Sequence, residues 1–474
     1  MNESPLKIGY VPSHLFTYFA QEYDVFGRSV KTLEALAREQ GFALEVVSEP
    51  VSDAVDAIRA QQAMDAAGVD LVLLQSSSFA MGDVVSAFAA GKARIGLWAV
   101  EEPTHQGPVL LNNFVSLNMN ASILRKYFSP PIPYKWFFGI AEHPWFAPRL
   151  AITVKALTAL KRLRESRVGW IGGLAPTFYN FTFDPRKLAE RLGGQVISHE
   201  LEELFERMQF STAEVDHTIE EMTAFARNRV EVSKEDVGQN ARIFLALRKL
   251  AREQGYAALA VNDWPRFQSK LGIHPGMAFS WLDQAEGIPV ASEGDVLGAL
   301  SMLLMRVISG KGAMLLDFTD IDLDTGSLLT WHCGGSPLNL ANKEGIIWKN
   351  HSTLGRKNSM VRPVGAVADF RFAPQPVTLT RLSKDANRLL VIEAKVIEGI
   401  NQGFDGSRGW LQDFHLNHEV STLADLVNTV LVEGIEHHFI LGSGLHAEVF
   451  SEIAAWTGMS VIERVPYRNF LQFA

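Results

Sequence analysis

The sequence predicts an α/β protein, with two doubly wound parallel-sheet domains followed by a β-rich, antiparallel barrel-like C-terminal domain. Three observations predict it. Short apolar runs alternate with amphipathic helical stretches up to about residue 310, the pattern of strand, crossover and parallel strand. The alternation is interrupted at the proline-rich stretch Pro130–Pro133 and resumes at SRVGWIGG. From about Ser327 onward, short strands separated by turns leave little room for helices and should pair antiparallel. The expected domains are therefore residues 1–164, 165–310 and 311–474.

In the first stretch, KIGYVP, ALEVV, VDLVLLQ and ARIGLWAV read as strands, with helices at Val25–Gln40, Ala54–Ala67 and Val84–Ala90 between them. Helix Ala151–Arg164 closes the first domain. The second run comprises SRVGWIGG, a helix at Leu188–Leu192, QVISHEL, a long helix from about Glu235 to Glu253, YAALAVN, IPVAS, a helix Asp295–Ser309 and GAMLLDF. The third holds SLLTWHC, AVADFRF, PVTLTRL, RLLVIEAKVIEG and EHHFILGSG, a helix Ala447–Trp456 and a last strand MSVIERV.

Composition narrows the function classes. With 47% hydrophobic, 10% aromatic and 20% charged residues, neither disorder nor a coiled coil fits. The formal charge of -9, without a basic patch, repels a nucleic-acid backbone. The single cysteine, Cys333, excludes an internal disulfide and a CxxC metal site and reads as packing. No apolar run approaches the roughly 18 residues of a membrane span, and the start MNESPLKIGYVP carries no basic or apolar leader. A cytoplasmic enzyme or binding protein is expected.

The chemistry concentrates at strand ends. IPVASEGD and GAMLLDF are apolar strands that each end in a carboxylate, Glu293 and Asp317, with about 16 residues of helix between them. Read as a βαβ unit, this places both carboxylates at carboxyl ends of parallel strands side by side or one apart, close enough to share a cation. The alternative is that Ser292 and Asp295 only cap a helix while Glu293 faces water. YAALAVNDW brings Asn262 and Asp263 to the same rim. His437 and His438 open an apolar strand and, by alternation, point to opposite faces, so at most one of them easily joins a given site. His332 stands in WHCGG, where the glycines let the backbone turn beside it. Two carboxylates with one or two imidazoles suit Mn²⁺ or a similar divalent ion, Co²⁺ and Mg²⁺ included. Two other motifs fail on spacing. GSGLHA leaves too little chain for a dinucleotide fold, and DFTDIDLDTG places Trp331 where a calcium loop needs its twelfth ligand.

Across Val168–Phe473 the chain resembles the L-fucose isomerase/L-arabinose isomerase group, in particular fucose-isomerase-like proteins. The pieces that carry the resemblance are WPRFQSKLGI, IPVASEGDVLGALSMLL, LLDFTDIDLD, LLTWHCGGSP, PVTLTRL, and HHF followed six residues after His438 by Gly444. The resemblance implies an Mn²⁺ site made by Glu293, Asp317 and His438, with His332 in place of a further histidine of arabinose isomerases. It implies aldose–ketose isomerisation of an open-chain sugar through an enediol, with Glu293 and Asp317 as the proton-transferring pair. His437 would take a supporting role, Arg408 and Trp410 in FDGSRGW would form a substrate loop, and Trp264 and Asn262 would line the pocket. Arg266, where an acidic residue is common in the group, suits an anionic sugar; the alternative is an outward-facing surface arginine. The resemblance also implies a trimer or hexamer, in which His14 of VPSHLF would reach a neighbour's pocket. Two alternatives stay open: a sugar-binding or regulatory protein on the same fold, and a sugar epimerase using the same metal site.

Overall fold

The computed structural model describes residues 4–140, 143–332, 334–354 and 364–473; Cys333 lies outside them. The chain divides into two compact units, residues 1–161 and 162–474.

The first unit holds five strands, β1 (Lys7–Ser13), β2 (Ala43–Val46), β3 (Leu71–Ser76), β4 (Arg94–Ala99) and β5 (Tyr134–Phe138). They form one sheet in the order β2-β1-β3-β4-β5, with every pairing parallel. β3 is buried throughout, as LVLLQS should be when helices cover both faces. The helix Val25–Gln40 starts where Asp24 accepts a hydrogen bond from the Gly27 amide and ends at Gly41 in the left-handed region. β5 and the helix Asn113–Lys126 were not expected. The strand YKWFF follows three prolines and lies at the sheet edge, where proline is tolerated, so the stretch reads as a boundary.

The second unit begins with a sheet of β6 (Arg167–Ile171), β7 (Gln195–His199), β9 (Tyr256–Val261) and β10 (Val290–Ala291), ordered β10-β9-β6-β7 and parallel throughout. The short β8 (Val230–Glu231) pairs instead with β13 (Ile347–Asn350), which continues to β14 (Gly365–Arg371). Six further strands are β11 (Met314–Asp322), β12 (Ser327–His332), β15 (Pro376–Ser383), β16 (Arg388–Ile397), β17 (Ser407–Leu416) and, after β18 (Glu419–Val420), β19 (His438–Ser443). Their pairings run β15-β16-β17-β12-β11-β19 and return to β15, all antiparallel, so these six strands close a barrel. The wider sheet is mixed, since β14 meets β17 in parallel.

One expectation fails here, and it concerns the site. β10 and β11 do not belong to one sheet: β10 pairs with β9, whereas β11 runs antiparallel to β12 and β19. The helix Val296–Ser309 between them is therefore no crossover within a sheet. It is buried along nearly its whole length, VLGALSMLLMRVIS, and carries the chain from the parallel sheet to the barrel. A single apolar core runs from Ile171 and Leu259 to Leu379, Leu441 and Ile462, so the parallel sheet and the barrel share one interior. Among the described residues, no helix is long and apolar enough to cross a membrane.

Candidate active site

Glu293 sits in a three-residue turn, Ser292–Gly294, directly after β10. Its backbone is in the left-handed region, φ 63° and ψ 12°, rare for a non-glycine residue. The turn cannot relax outward, because Gly294 (φ +75°) packs so closely that a Cβ there would fall 2.0 Å from the Gly173 carbonyl oxygen. Gly294→Ala should therefore destabilise the second unit by about 2–4 kcal/mol, from backbone strain and the clash together. A denaturant midpoint equal to the parent's would show that the turn is less constrained than described.

Asp317 and His438 arrive from the barrel, where they face each other directly across the antiparallel pair β11–β19. The three groups converge. His438 Nε2 is 3.2 Å from Glu293 Oε2 and 3.9 Å from Asp317 Oδ1. Among the described residues, none of these three atoms has a hydrogen-bond partner, although all are buried. Buried polar atoms are nearly always satisfied, so three such orphans gathered at one imidazole nitrogen mark a place built for something else.

The other nitrogen of His438 is accounted for. Nδ1 donates to Asp295 Oδ2 at 3.0 Å, and Asp295 is held in turn by the Arg381 guanidinium, with Nη2 to Oδ1 at 3.0 Å. Asp295 and Arg381 are both fully buried, their side chains 0% exposed. Asp295 also caps the helix Val296–Ser309 by accepting from the Gly298 amide. Phe181 covers the assembly, its ring 4.5 Å from those of both His437 and His438 and 5.4 Å from the Arg381 guanidinium. From the sequence Asp295 enters only through the alternative of a helix cap, and neither Arg381 nor Phe181 enters the expected site. The available signal was an arginine inside the alternating apolar strand PVTLTRL, since a buried strand holds an arginine only when a carboxylate meets it.

Charge states follow from these contacts. Burial pushes the Glu293 carboxyl up, but the imidazoles of His437 and His438 outweigh it and bring the pKa down to about 2. Burial works against a charged His438, yet Asp295 and Glu293 raise it to about 9. For Asp295, burial is outweighed by the Arg381 charge and then by His438, which hold it far below the usual carboxylate range. Asp263 is pushed up to about 7 by burial and then by the Glu293 charge.

His437 departs from the alternation argument. Strand β19 starts at His438, so His437 still belongs to the preceding turn and reaches the same side. Its Nε2 is 3.6 Å from Glu293 Oε2, and its Nδ1 pairs with Asn180 Nδ2 at 3.0 Å. Glu293, His437 and His438 form one group of potential metal ligands; Asp317, His332 and His438 form a second that shares His438. His332 is buried, and its Nδ1 accepts from the Gly334 amide at 2.8 Å. Burial lowers its pKa, so the ring is neutral and carries its proton on Nε2.

The remaining expected residues are placed as follows. Trp264 is partly exposed and stacks on Phe178, which meets the edge of His437, so these rings extend an aromatic wall from the triad. Asn262 donates through Nδ2 to the Gly172 and Leu174 carbonyls, both at 2.9 Å, and so ties down the loop after β6. Arg266 is paired with Glu202 at the surface. Arg408 is buried in the barrel wall, where Nη1 meets Asp369 and the Gly406 carbonyl and Nε meets the Gln402 carbonyl. Trp410, beside it, donates to Asn401. No contact described joins Arg266, Arg408 or Trp410 to the triad. His14 lies in the first unit, its ring 4.8 Å from Phe16.

Comparison with known proteins adds a class. Over 386 residues the chain is 28% identical to the sulfoquinovose isomerases of Priestia aryabhattai and Priestia megaterium (strain ATCC 12872 / QMB1551), covering 79% of this chain and 81% of each relative. It is 27% identical over 396 residues to the sulfoquinovose isomerase of Alkalicoccus urumqiensis, covering 81% and 83%. No family model matches the chain. An isomerase is the enzyme class expected from the sequence, and these similarities support it. They point to sugar isomerases broadly rather than to the fucose-isomerase-like group in particular.

Proposed function

We propose that the protein is a metal-dependent aldose–ketose isomerase of an anionic monosaccharide, sulfoquinovose or a close relative, with its centre at Glu293, Asp317 and His438. The observation that carries this reading is the set of three buried ligand atoms without hydrogen-bond partners among the described residues, with Glu293 Oε2 from the turn after the parallel sheet and Asp317 Oδ1 from the barrel both reaching His438 Nε2. That donor set fits a hard or borderline divalent cation, Mn²⁺ first and Co²⁺ or Mg²⁺ next. Asp295 fits as the carboxylate that orients a metal-ligating histidine through its other nitrogen. A cation held there supplies a positive charge against which negative charge on the sugar's carbonyl and hydroxyl oxygens is stabilised.

The chain's own residues do the rest. Glu293, ionised at neutral pH, takes the proton from C2 of the open-chain aldose and returns it to C1 of the enediol. Asp317 takes the proton from the C2 hydroxyl and gives the same proton to the C1 oxygen, so that atoms balance between aldose and ketose. His332, with its proton on Nε2, donates to a substrate oxygen rather than ligating. Trp264 and Phe178 offer ring faces to the sugar's carbons. In this reading the loop function expected of Arg408 and Trp410 gives way to holding the barrel wall.

The test is a panel of neutral and sulfonated aldoses and ketoses with the Mn²⁺-loaded protein, followed by NMR. Conversion between sulfoquinovose and its ketose, with neutral sugars slower, is expected. A C2 epimer as product would make the protein an epimerase, and tight sugar binding with no conversion would make it a binding protein.

Metal uptake should depend on pH in a defined sense. With His438 raised to about 9, its Nε2 carries a proton at pH 7 in the metal-free chain, and that proton must leave for the nitrogen to ligate. Glu293 is ionised down to about pH 2 and contributes no proton in this range. Mn²⁺ affinity should therefore rise roughly tenfold per pH unit from 7 towards 9 and level off above it. Calorimetry in two buffers of different ionisation enthalpy should count about one proton released at pH 7. No proton release would mean that His438 is not a ligand.

A further inference from the structure

We infer that Asp263 is a positioning residue that aims the Glu293 carboxylate by fixing the strained turn from which it projects. The inference rests on the isomerase reading for its catalytic consequence and on geometry alone for the contact.

A glutamate in the left-handed region persists only where its surroundings over-determine it. Three hydrogen bonds do so here. The Glu293 amide donates to Asp263 Oδ1 at 2.8 Å, the Glu293 carbonyl accepts from the Ala175 amide at 2.9 Å, and the Gly294 carbonyl accepts from Trp170 Nε1 at 3.1 Å. The first is the one made by a carboxylate, and it acts on the amide of the residue whose side chain is to be aimed. Asp263 follows the end of β9, the strand that pairs with β10, so it reaches the turn from the neighbouring strand end. Its own position is set from behind. Asp263 is buried, and its Oδ2 lies 3.7 Å from Nε2 of the buried His274. Nδ1 of His274 accepts from the Gly276 amide at 3.2 Å, which leaves the ring proton on the nitrogen facing Asp263. The preceding residue, Asn262, ties down the loop that supplies the Ala175 amide. Asn262 and Asp263 thus grip the turn from both sides, one through the loop and one directly.

The account requires an oxygen acceptor at this position and no particular charge, which separates two substitutions. Asp263→Asn keeps an oxygen where Oδ1 stands; Asp263→Ala removes it. In the metal-free chain without sugar, the Glu293 amide should exchange with solvent at least about tenfold faster in the Ala variant and at the parent's rate in the Asn variant. In the Mn²⁺-loaded protein, the Ala variant should lose about 10–100-fold in kcat with little change in KM, and Asn should restore most of it. An unchanged exchange rate in the Ala variant, or an Asn variant as impaired as Ala, overturns the assignment. If Asp263→Ala does not fold, the Asn variant alone decides, since loss of amide protection or of kcat in it also overturns the assignment. Faster exchange in the Ala variant together with a parent inert toward every sugar would sink the isomerase reading and leave the role in the turn standing.

Discussion

Glu293→Gln is expected to give a folded protein whose turnover falls by about 10²–10⁴-fold, the usual contribution of a positioned acid–base group. The substitution conserves volume. It leaves the backbone contacts that hold the turn, because the Glu293 amide and carbonyl make them rather than the side chain. What it removes is the negative charge that both imidazoles stabilise and one of the three unpartnered ligand atoms. Mn²⁺ affinity should fall with turnover, while the far-ultraviolet circular dichroism stays that of the parent. NMR rates for the two proteins at equal Mn²⁺ saturation separate the lost base from the lost ligand. Turnover equal to the parent's would remove Glu293 from the mechanism.

The second large effect is on stability. Arg381→Met should cost about 3–5 kcal/mol, the range found when one member of a buried ion pair is removed. The reason is that Asp295 stays behind, fully buried, with the charge of Arg381 gone and His438 and the Gly298 amide left to face it. Glu436, whose Oε2 lies 3.8 Å from Arg381 Nε, loses that neighbouring charge as well. A melting temperature lower by roughly 5–8 °C is expected for a unit of this size. Turnover should fall too, because the carboxylate that orients His438 is no longer held. The double variant Asp295→Asn/Arg381→Met removes charge on both sides and should recover part of the stability, which shows that the cost lies in the stranded carboxylate. A single variant that melts with the parent would mean that Asp295 is paired or solvated differently.

The sequence names Glu293 and Asp317 together through a βαβ reading that the sheets do not follow. A strand, an amphipathic helix and a second strand look the same whether the second strand returns to the first one's sheet or leaves for another. The acidic turn after LLDF, DLDTG before SLLTW, is a hairpin signal that makes β11 antiparallel to β12 and so excludes a parallel return. Both carboxylates nevertheless reach the same nitrogen, His438 Nε2, because the short turn after β10 faces the barrel strands β11 and β19. Alternation along a strand also misplaced His437, since the rule applies inside the strand and His437 precedes it. The left-handed turn at Glu293 has no sequence signature, as the residue is not one that favours that conformation. Arg266 shows how far composition carries. A cation near the motif suggested an anionic substrate, yet its guanidinium is occupied by Glu202.

The central claim is that a cation held at Glu293, Asp317 and His438 supports proton transfer between C2 and C1 of an anionic sugar. The most direct measurement is proton NMR of sulfoquinovose in D₂O with the Mn²⁺-loaded protein, beside a sample stripped with EDTA. The account predicts ketose signals and deuterium entering the sugar at C1 or C2, both abolished by EDTA and restored by Mn²⁺. Conversion at the same rate after EDTA, with the metal shown to be gone, would contradict it.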